Sequence, residues 1–359
     1  MPALAVTSIL APFQQQLVGN WRNLDFGEDA TGKPVGGDEN PLSYNIMPLP
    51  QTSDPDGYIL KNFTFHERLH FNNDKVRETL AVSARAPNRG GQVNQDARAL
   101  FYAQQVMFAE GPGKGTIVHV ENGAWLYFPR YIQQPGPYPA NPPGSLVSNA
   151  LQQPPDSLIA KQISVPHGNS VLALGRIETV PGQNGAGPWN GNPTIAGSPI
   201  IPDGVPPYPV PAEPVPLPVG DPIPRELQSN LNADQRYGTV RTSSSTDPND
   251  FENPNPDFTL NPNLPLQRAV NIIKPEAFMH WSVTTRPLTN GEDGRGSVTN
   301  IPFEQLAASV IAYAADYWLL FKADKKYLTY TQTILLVLTV KGRKYTFPHV
   351  TGNTVTYTG

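Results

Sequence analysis

"NFTFHERLHFNN", residues 62–73, admits two incompatible readings, and the choice between them sets the fold class of the chain. His66-Glu67-Arg68-Leu69-His70 has the H-E-x-x-H spacing of zinc metalloproteases. That chemistry needs a helix, where histidines four apart share one face and hold one ion beside a glutamate acting as general base. The apolar residues follow another period. Phe63, Phe65, Leu69 and Phe71 occupy alternate positions interrupted only by Glu67, and aromatic residues favour strands. On a strand, at about 3.3 Å per residue, His66 and His70 share a face but stand roughly 13 Å apart, too far to ligate one metal. The stretch therefore reads as a half-buried strand with Glu67 on its apolar face. A one-residue slip in register would turn His66 and His70 inward instead, so alternation alone leaves that choice open.

Composition extends the β reading to the whole chain. Forty-one prolines and 30 glycines among 359 residues, with 16% charged, imply many turns and irregular loops rather than helical bundles. A net charge of −4 and a pI near 5.9, without a Lys/Arg cluster, leave no electrostatic footprint for nucleic acid or an anionic membrane. With no cysteine, disulfides, thiolate nucleophiles and Cys-ligated metal centres are excluded. The N-terminal "MPALAVTSILAPFQQQ" is apolar but lacks the basic flank of a signal peptide, so the expected location is cytoplasmic. The apolar run Ile334–Val340 is too short to span a bilayer and reads as a buried strand.

Strand-like segments recur up to about residue 180: the region around Trp21, "YILKNFTFHERLHF", "ALFYAQQVMFAEG", "GTIVHVENGAWLYFP" and "AKQISVPHGNSVLALGRIETV". Serial strands with short turns suggest an antiparallel barrel or sandwich. Residues 181–265, with "PPYPVPAEPVPLPVGDPIP" at their centre, form a proline-rich insertion that favours extended polyproline conformation. Residues 266–359 then complete the domain begun by 1–180. Within them "NIPFEQLAASVIAYAA" predicts a helix over 302–315, with Asn300 as cap and Leu306, Val310, Tyr313 and Tyr317 at helical spacing. "DYWLLF", the turn "KADKK" and "YLTYTQTILLVLTV" predict a hairpin, and "GRKYTFPHVTGNTVTYTG" a final sheet return.

The order of these pieces resembles a calycin-like (lipocalin-like) barrel. Gly19-Asn20-Trp21 matches the G-x-W of lipocalin and fatty-acid-binding-protein-like barrels, in which the tryptophan plugs the closed end. "FTFHERLHF", "IVHVENGAWLYFP", "ISVPHGNSVLALGRIETV", "YLTYTQT" and "FPHVTGNTVTY" are similar, in the same order, to segments of the nitrobindin-like heme-binding family, which includes the C-terminal domain of THAP-type proteins. The chain departs from that family in "RNLDFGED" after G-x-W and in being more than twice as long as its compact domain. The resemblance implies an all-β antiparallel barrel that binds heme b or another hydrophobic small molecule. It also implies His349, in the terminal Pro-His segment, as the ligand to the heme iron.

Other residues are weighed on their own pattern. His119 is the next cofactor-binding candidate after His349: His119, Glu121 and Gly123 alternate along one strand, so the histidine has a carboxylate on its face that can tune its basicity; the plainer reading is a satisfied surface or cross-strand contact. His167 sits in a turn and His280 flanks the insertion, where it would line the barrel mouth. No G-x-S-x-G, Walker loop or Rossmann fingerprint is present. The expected function is ligand binding inside the barrel, with NO or peroxide chemistry if the ligand is heme. A heme-free cyclase or isomerase using Glu67, Tyr102 or Tyr330 is the alternative from another class. An assembly protein whose proline-rich arm joins copies of the chain into a homo-oligomer is the third.

Overall fold

The alternation read in residues 65–71 continues around a closed ring of strands. The computed structural model describes residues 10–28, 32, 34–37, 42–50, 58–72, 81–85, 94–109, 113–128, 158–165, 168–178, 189–196, 262–285, 296–301, 308–340 and 343–359. Its strands are β1 (Gly19–Asn23), β2 (Asp25–Glu28), β3 (Pro34–Gly36), β4 (Tyr44–Pro50), β5 (Tyr58–Phe63), β6 (Phe65–Phe71), β7 (Ala81–Arg85), β8 (Asn94–Phe108) and β9 (Ile117–Phe128). They continue as β10 (Leu158–Val165), β11 (Asn169–Ile177), β12 (Trp189–Asn190), β13 (Ala277–Thr284), β14 (Gly296–Asn300), β15 (Ala308–Lys322), β16 (Lys325–Val340) and β17 (Arg343–Tyr357). Two helices accompany them, α1 (Pro12–Leu17) and α2 (Leu264–Ile273).

Ten strands close the barrel in the order β1-β6-β8-β9-β10-β11-β13-β15-β16-β17, with β17 pairing back onto β1 and every neighbour antiparallel. Closure leaves the ring no free edge. Where β1 ends, Asn23 continues its hydrogen bonding with a side chain: Nδ2 donates to the Phe65 carbonyl at 3.0 Å and Oδ1 accepts from the Glu67 amide at 2.6 Å. The β4–β5 hairpin extends the sheet from the middle of β17.

One end of the barrel is shut by α1 and Trp21. Phe13 is buried against Trp125, Tyr127 and Trp281, and Gln14 Nε2 donates to the carbonyls of Arg98 and Trp125, both at 2.9 Å. Burying a side chain of this size contributes roughly 1.5–3 kcal/mol. Trp21, 1% exposed, donates Nε1–H to the Leu17 carbonyl at 2.7 Å and meets Tyr357 edge-on. The G-x-W tryptophan thus occupies the closed end, as its motif implied. Outside the wall, α2 covers a second small core of Leu24, Ile195, Trp318, Leu320 and Tyr327.

The helix expected over 302–315 does not form in its described part, which from Ala308 belongs to β15; residues 302–307 lie outside the described residues. The misleading spacing has a cause. A bulge at Ile311 sets Val310 opposite Leu336 and Ala312 opposite Leu335, so Val310 and Tyr313, three apart in sequence, are two ladder steps apart and face the same way. Asn300 is no helix cap; its side chain pairs with the Val310 amide and carbonyl beside the bulge. Among the described residues the helices are α1 and α2, neither of them at the predicted place. The hairpin around "KADKK" is formed, with Lys322 opposite Lys325.

The insertion begins on the barrel rather than away from it. Trp189–Asn190 pairs with Phe278 and Ala277, the Ile195 amide donates to Gln267 Oε1 at 2.6 Å, and Asn263 Nδ2 donates to the Ala196 carbonyl at 2.9 Å. The proline-rich centre and His167 lie outside the described residues.

Candidate functional site

The middle of the barrel is polar. On β6 the burial alternates from Phe65 through Glu67 and Leu69 to Phe71, which settles the register: Glu67 points in, Arg68 and His70 point out, and no zinc pair forms. Glu67 is 1% exposed and accepts three hydrogen bonds of 2.7 Å, from Gln104 Nε2, Tyr330 Oη and Asn353 Nδ2, contributed by β8, β16 and β17. All three donors are neutral. Burial pushes the Glu67 carboxyl above its ordinary range, while the three donors pull the other way.

A second cluster adjoins the first, since Gln104 and Glu121 face each other across β8 and β9. Glu121 Oε1 accepts from Tyr102 Oη at 2.5 Å and lies 3.1 Å from Lys161 Nζ, both groups being almost fully buried. Lys161 also donates to Tyr317 Oη at 2.8 Å and Tyr313 Oη at 3.1 Å, and Tyr313 donates to Gln332 Oε1 at 3.0 Å. Burial opposes ionisation of Glu121, but the Lys161 ammonium, with His119 and Tyr102, holds its carboxyl down at about 2. Burial likewise opposes charge on Lys161, and Glu121 more than restores it. The Tyr102, Tyr313 and Tyr330 phenols are driven up by burial and stay protonated.

Gly123 makes room for this arrangement. A Cβ there would lie 2.7 Å from Tyr102 Oη and 2.0 Å from the Gln162 carbonyl oxygen, so any side chain would displace the phenol that donates to Glu121. The alternation His119, Glu121, Gly123 read from the sequence is therefore one inward face with three distinct duties.

The structure brings Glu67 and Tyr330 into direct contact, and puts Tyr102 on Glu121 rather than on Glu67. His119, one quarter exposed, places Nε2 3.6 Å from Glu121 Oε2, at the edge of the buried cluster. His349 stands opposite Ile334, which packs on the core, so it shares the inward face of β17 with Asn353 and is half-buried. It lies four residues, or about 13 Å along the strand, from Asn353, beyond direct contact with the Glu67 cluster. His280 is not at a mouth. Its neighbours Met279 and Trp281 face the core, and His280 lies on the outer wall between Glu178 at 2.9 Å and Asp316 at 3.2 Å, stacked on Trp318. A groove of about 320 Å³ on the outer wall has the exposed side chains of His70, Ala103, Asn122, Gln162 and Ser164 in its lining.

Sequence reasoning missed Lys161, Tyr313, Gln104, Gln332 and Asn353. Lys161 alternates with Ile159 and Ile163, a charge on an apolar face, the same signal by which Glu67 was found.

No protein-family model matches this chain, and no curated protein matches it. Among solved structures, the crystal structure of Rv2717c from M. tuberculosis aligns over 98% of this chain and 99% of that one, at 11% identity and a TM-score of 0.33. A likeness that distant carries no argument; the ten-strand barrel rests on its own strand pairing.

Proposed function

We propose that the barrel binds a hydrophobic small molecule in the half away from the α1–Trp21 plug, with heme b as the ligand that its residues favour. The observation behind this reading is His349, a half-buried imidazole on the inward face beside Ile334. Among the described residues no group of three or more His, Cys, Asp or Glu side chains could hold a bare metal ion. A single imidazole donor suits instead a group that brings its other iron ligands with it. The donor therefore fits heme, which His349 would hold through its imidazole, with Ile334 an apolar neighbour on the same face. Bound heme would supply a site for NO or peroxide; the chain's own part is to hold it, keep water away and set the polarity beneath it.

The polar centre supports an occupant above it rather than within it. Every oxygen of Glu67 is already engaged, and inserting a ligand there would break charge-assisted hydrogen bonds in a dry site. The test is a hemin titration followed by absorption, beside His349→Ala. A saturating Soret band that is lost or shifted in the variant is the expected result. No specific band, or one indifferent to the substitution, removes heme; displacement of an apolar fluorophore then asks whether the barrel holds a colourless ligand.

A second reading, cofactor-free isomerisation or cyclisation, draws on one observation: the Glu67 carboxyl is shifted upward by burial and accepts a hydrogen bond from Tyr330, an acid and a phenol held together in the barrel interior. It requires a substrate to reach a carboxyl that is 1% exposed.

A further inference from the structure

The barrel core contains a continuous stack of oxidisable rings. Tyr330 lies on Tyr317 with centroids 5.5 Å apart and planes at 21°, and Tyr317 lies on Trp281 at 5.7 Å and 5°. Trp125 meets Tyr317 edge-on at 5.0 Å and Trp281 at 6.0 Å. All these separations fall within direct aromatic contact. Such stacks are ordinarily packing and nothing more. This one differs in where its charges and proton acceptors stand.

Lys161 Nζ sits 5.3, 5.5 and 5.4 Å from the ring centroids of Tyr102, Tyr313 and Tyr317. An oxidising equivalent resting on any of those rings would place positive charge next to a fixed ammonium in a medium of low dielectric, so Tyr317 can relay it but not keep it. Tyr330 is situated differently. Its hydroxyl donates at 2.7 Å to Glu67, a carboxylate whose hydrogen-bond partners are Gln104, Asn353 and Tyr330 itself, all neutral.

We propose that Tyr330 is a one-electron oxidation site, on which an oxidising equivalent delivered to the aromatic stack settles as a neutral tyrosyl radical with its proton on Glu67. The step balances. Tyr330 loses one electron through Tyr317 and the tryptophans to a one-electron oxidant, which is reduced by one electron. The phenolic O–H bond breaks, and the proton crosses the existing hydrogen bond to Glu67 Oε2, leaving a neutral carboxylic acid. Tyr102 also donates to a carboxylate, but Glu121 is held ionised at about 2 by Lys161 and is a poor proton acceptor, whereas burial raises the proton affinity of Glu67. The inference needs no bound ligand and stands apart from the binding reading.

The experiment uses the full chain with no added ligand. Tris(bipyridine)ruthenium(III), generated by flash photolysis with persulfate, serves as oxidant, and samples are freeze-quenched for electron paramagnetic resonance. A persistent tyrosyl signal is expected, lost in Tyr330→Phe and formed more slowly in Tyr317→Phe, where a tryptophan radical should accumulate instead. An unchanged signal in folded Tyr330→Phe overturns the proposal. A measurement on the unaltered protein keeps it testable if that variant fails to fold: a buried radical relaxes independently of a soluble gadolinium chelate, whereas strong relaxation enhancement would place the radical at the surface and refute the assignment.

Discussion

Replacing Lys161 with methionine tests whether the polar centre is held together by charge. The substitution preserves length and most of the apolar stem, but leaves Glu121 buried without its cation and removes a donor from both Tyr313 and Tyr317. Stranding one partner of a buried pair costs about 3–5 kcal/mol. Each lost hydrogen bond to a phenol adds roughly 1 kcal/mol. The sum is a large part of the total stability of most domains. The cost also depends on pH. In the wild type the Glu121 carboxyl lies at about 2 when folded against 4.5 ordinarily, so its contribution is complete above 4.5 and lost as pH falls toward 2. Without Lys161 the largest lowering influence is gone and burial pushes the folded carboxyl upward against His119 and Tyr102 alone, so the variant loses less in acid than the wild type does. Urea unfolding at pH 7 and pH 4 should therefore show a wide gap that narrows in acid. The double variant Lys161→Met/Glu121→Gln should recover most of the loss, because removing both charges leaves neither stranded. A single variant within about 1 kcal/mol of wild type at pH 7, the range of an exposed pair, would refute the reasoning. So would a loss that does not change with pH.

Three further outcomes follow from the geometry. Gly123→Ala should destabilise by about 1–3 kcal/mol, the cost of overpacking, and Tyr102→Phe in the same background should relieve part of it, as measured by double-mutant cycle. Trp21→Ala should cost about 3–5 kcal/mol and lower the thermal midpoint, since it empties the closed end beside Tyr357; a change within experimental scatter would show that Trp21 is not the plug. His280 is opposed by burial, yet Asp316 and Glu178 lift its pKa above 6.5; its stabilising contribution is present below 6.5 and lost as pH rises through the folded value. His280→Phe, which keeps the ring on Trp318, should flatten that part of the stability profile between pH 6 and 9.

The fold was legible where one face of a strand is apolar and the other is not. Residues 65–71 show this, and the spacing of H-E-x-x-H lost its meaning once the period of two was recognised. Legibility failed at β15 because a bulge converts a spacing of three into two ladder steps, which mimics a helical repeat. It failed at α1 because Gln14, with 0% exposure, is held by backbone carbonyls of β8 and β9 more than eighty residues away, and no local pattern encodes that partnership. His280 was misplaced for a related reason: its face of β13 is defined by Glu178 and Asp316 on neighbouring strands.

Of the polar centre, Glu67, Tyr102 and Tyr330 were visible in advance, yet their pairing was not, because Tyr102 and Tyr330 each have a buried carboxylate as partner and the sequence does not say which. Lys161 decides it. By neutralising Glu121 it leaves one carboxylate ionised and the other, Glu67, dependent on neutral donors, so two acids in one dry interior acquire opposite shifts. That asymmetry divides the barrel. The closed half beneath it is aromatic and dry, around Phe13, Trp125 and Trp281, and offers a ligand no unpaired charge to meet. The half above it carries two partly buried histidines, His119 against Glu121 and His349 beside Ile334. A ligand entering there would rest on a hydrogen-bonded floor that cannot yield without breaking several buried contacts at once, so binding should leave the Glu67 cluster intact. Difference infrared spectroscopy of the Glu67 carboxyl, before and after ligand, checks this: a shift as large as that produced by Tyr330→Phe would mean that the floor moves.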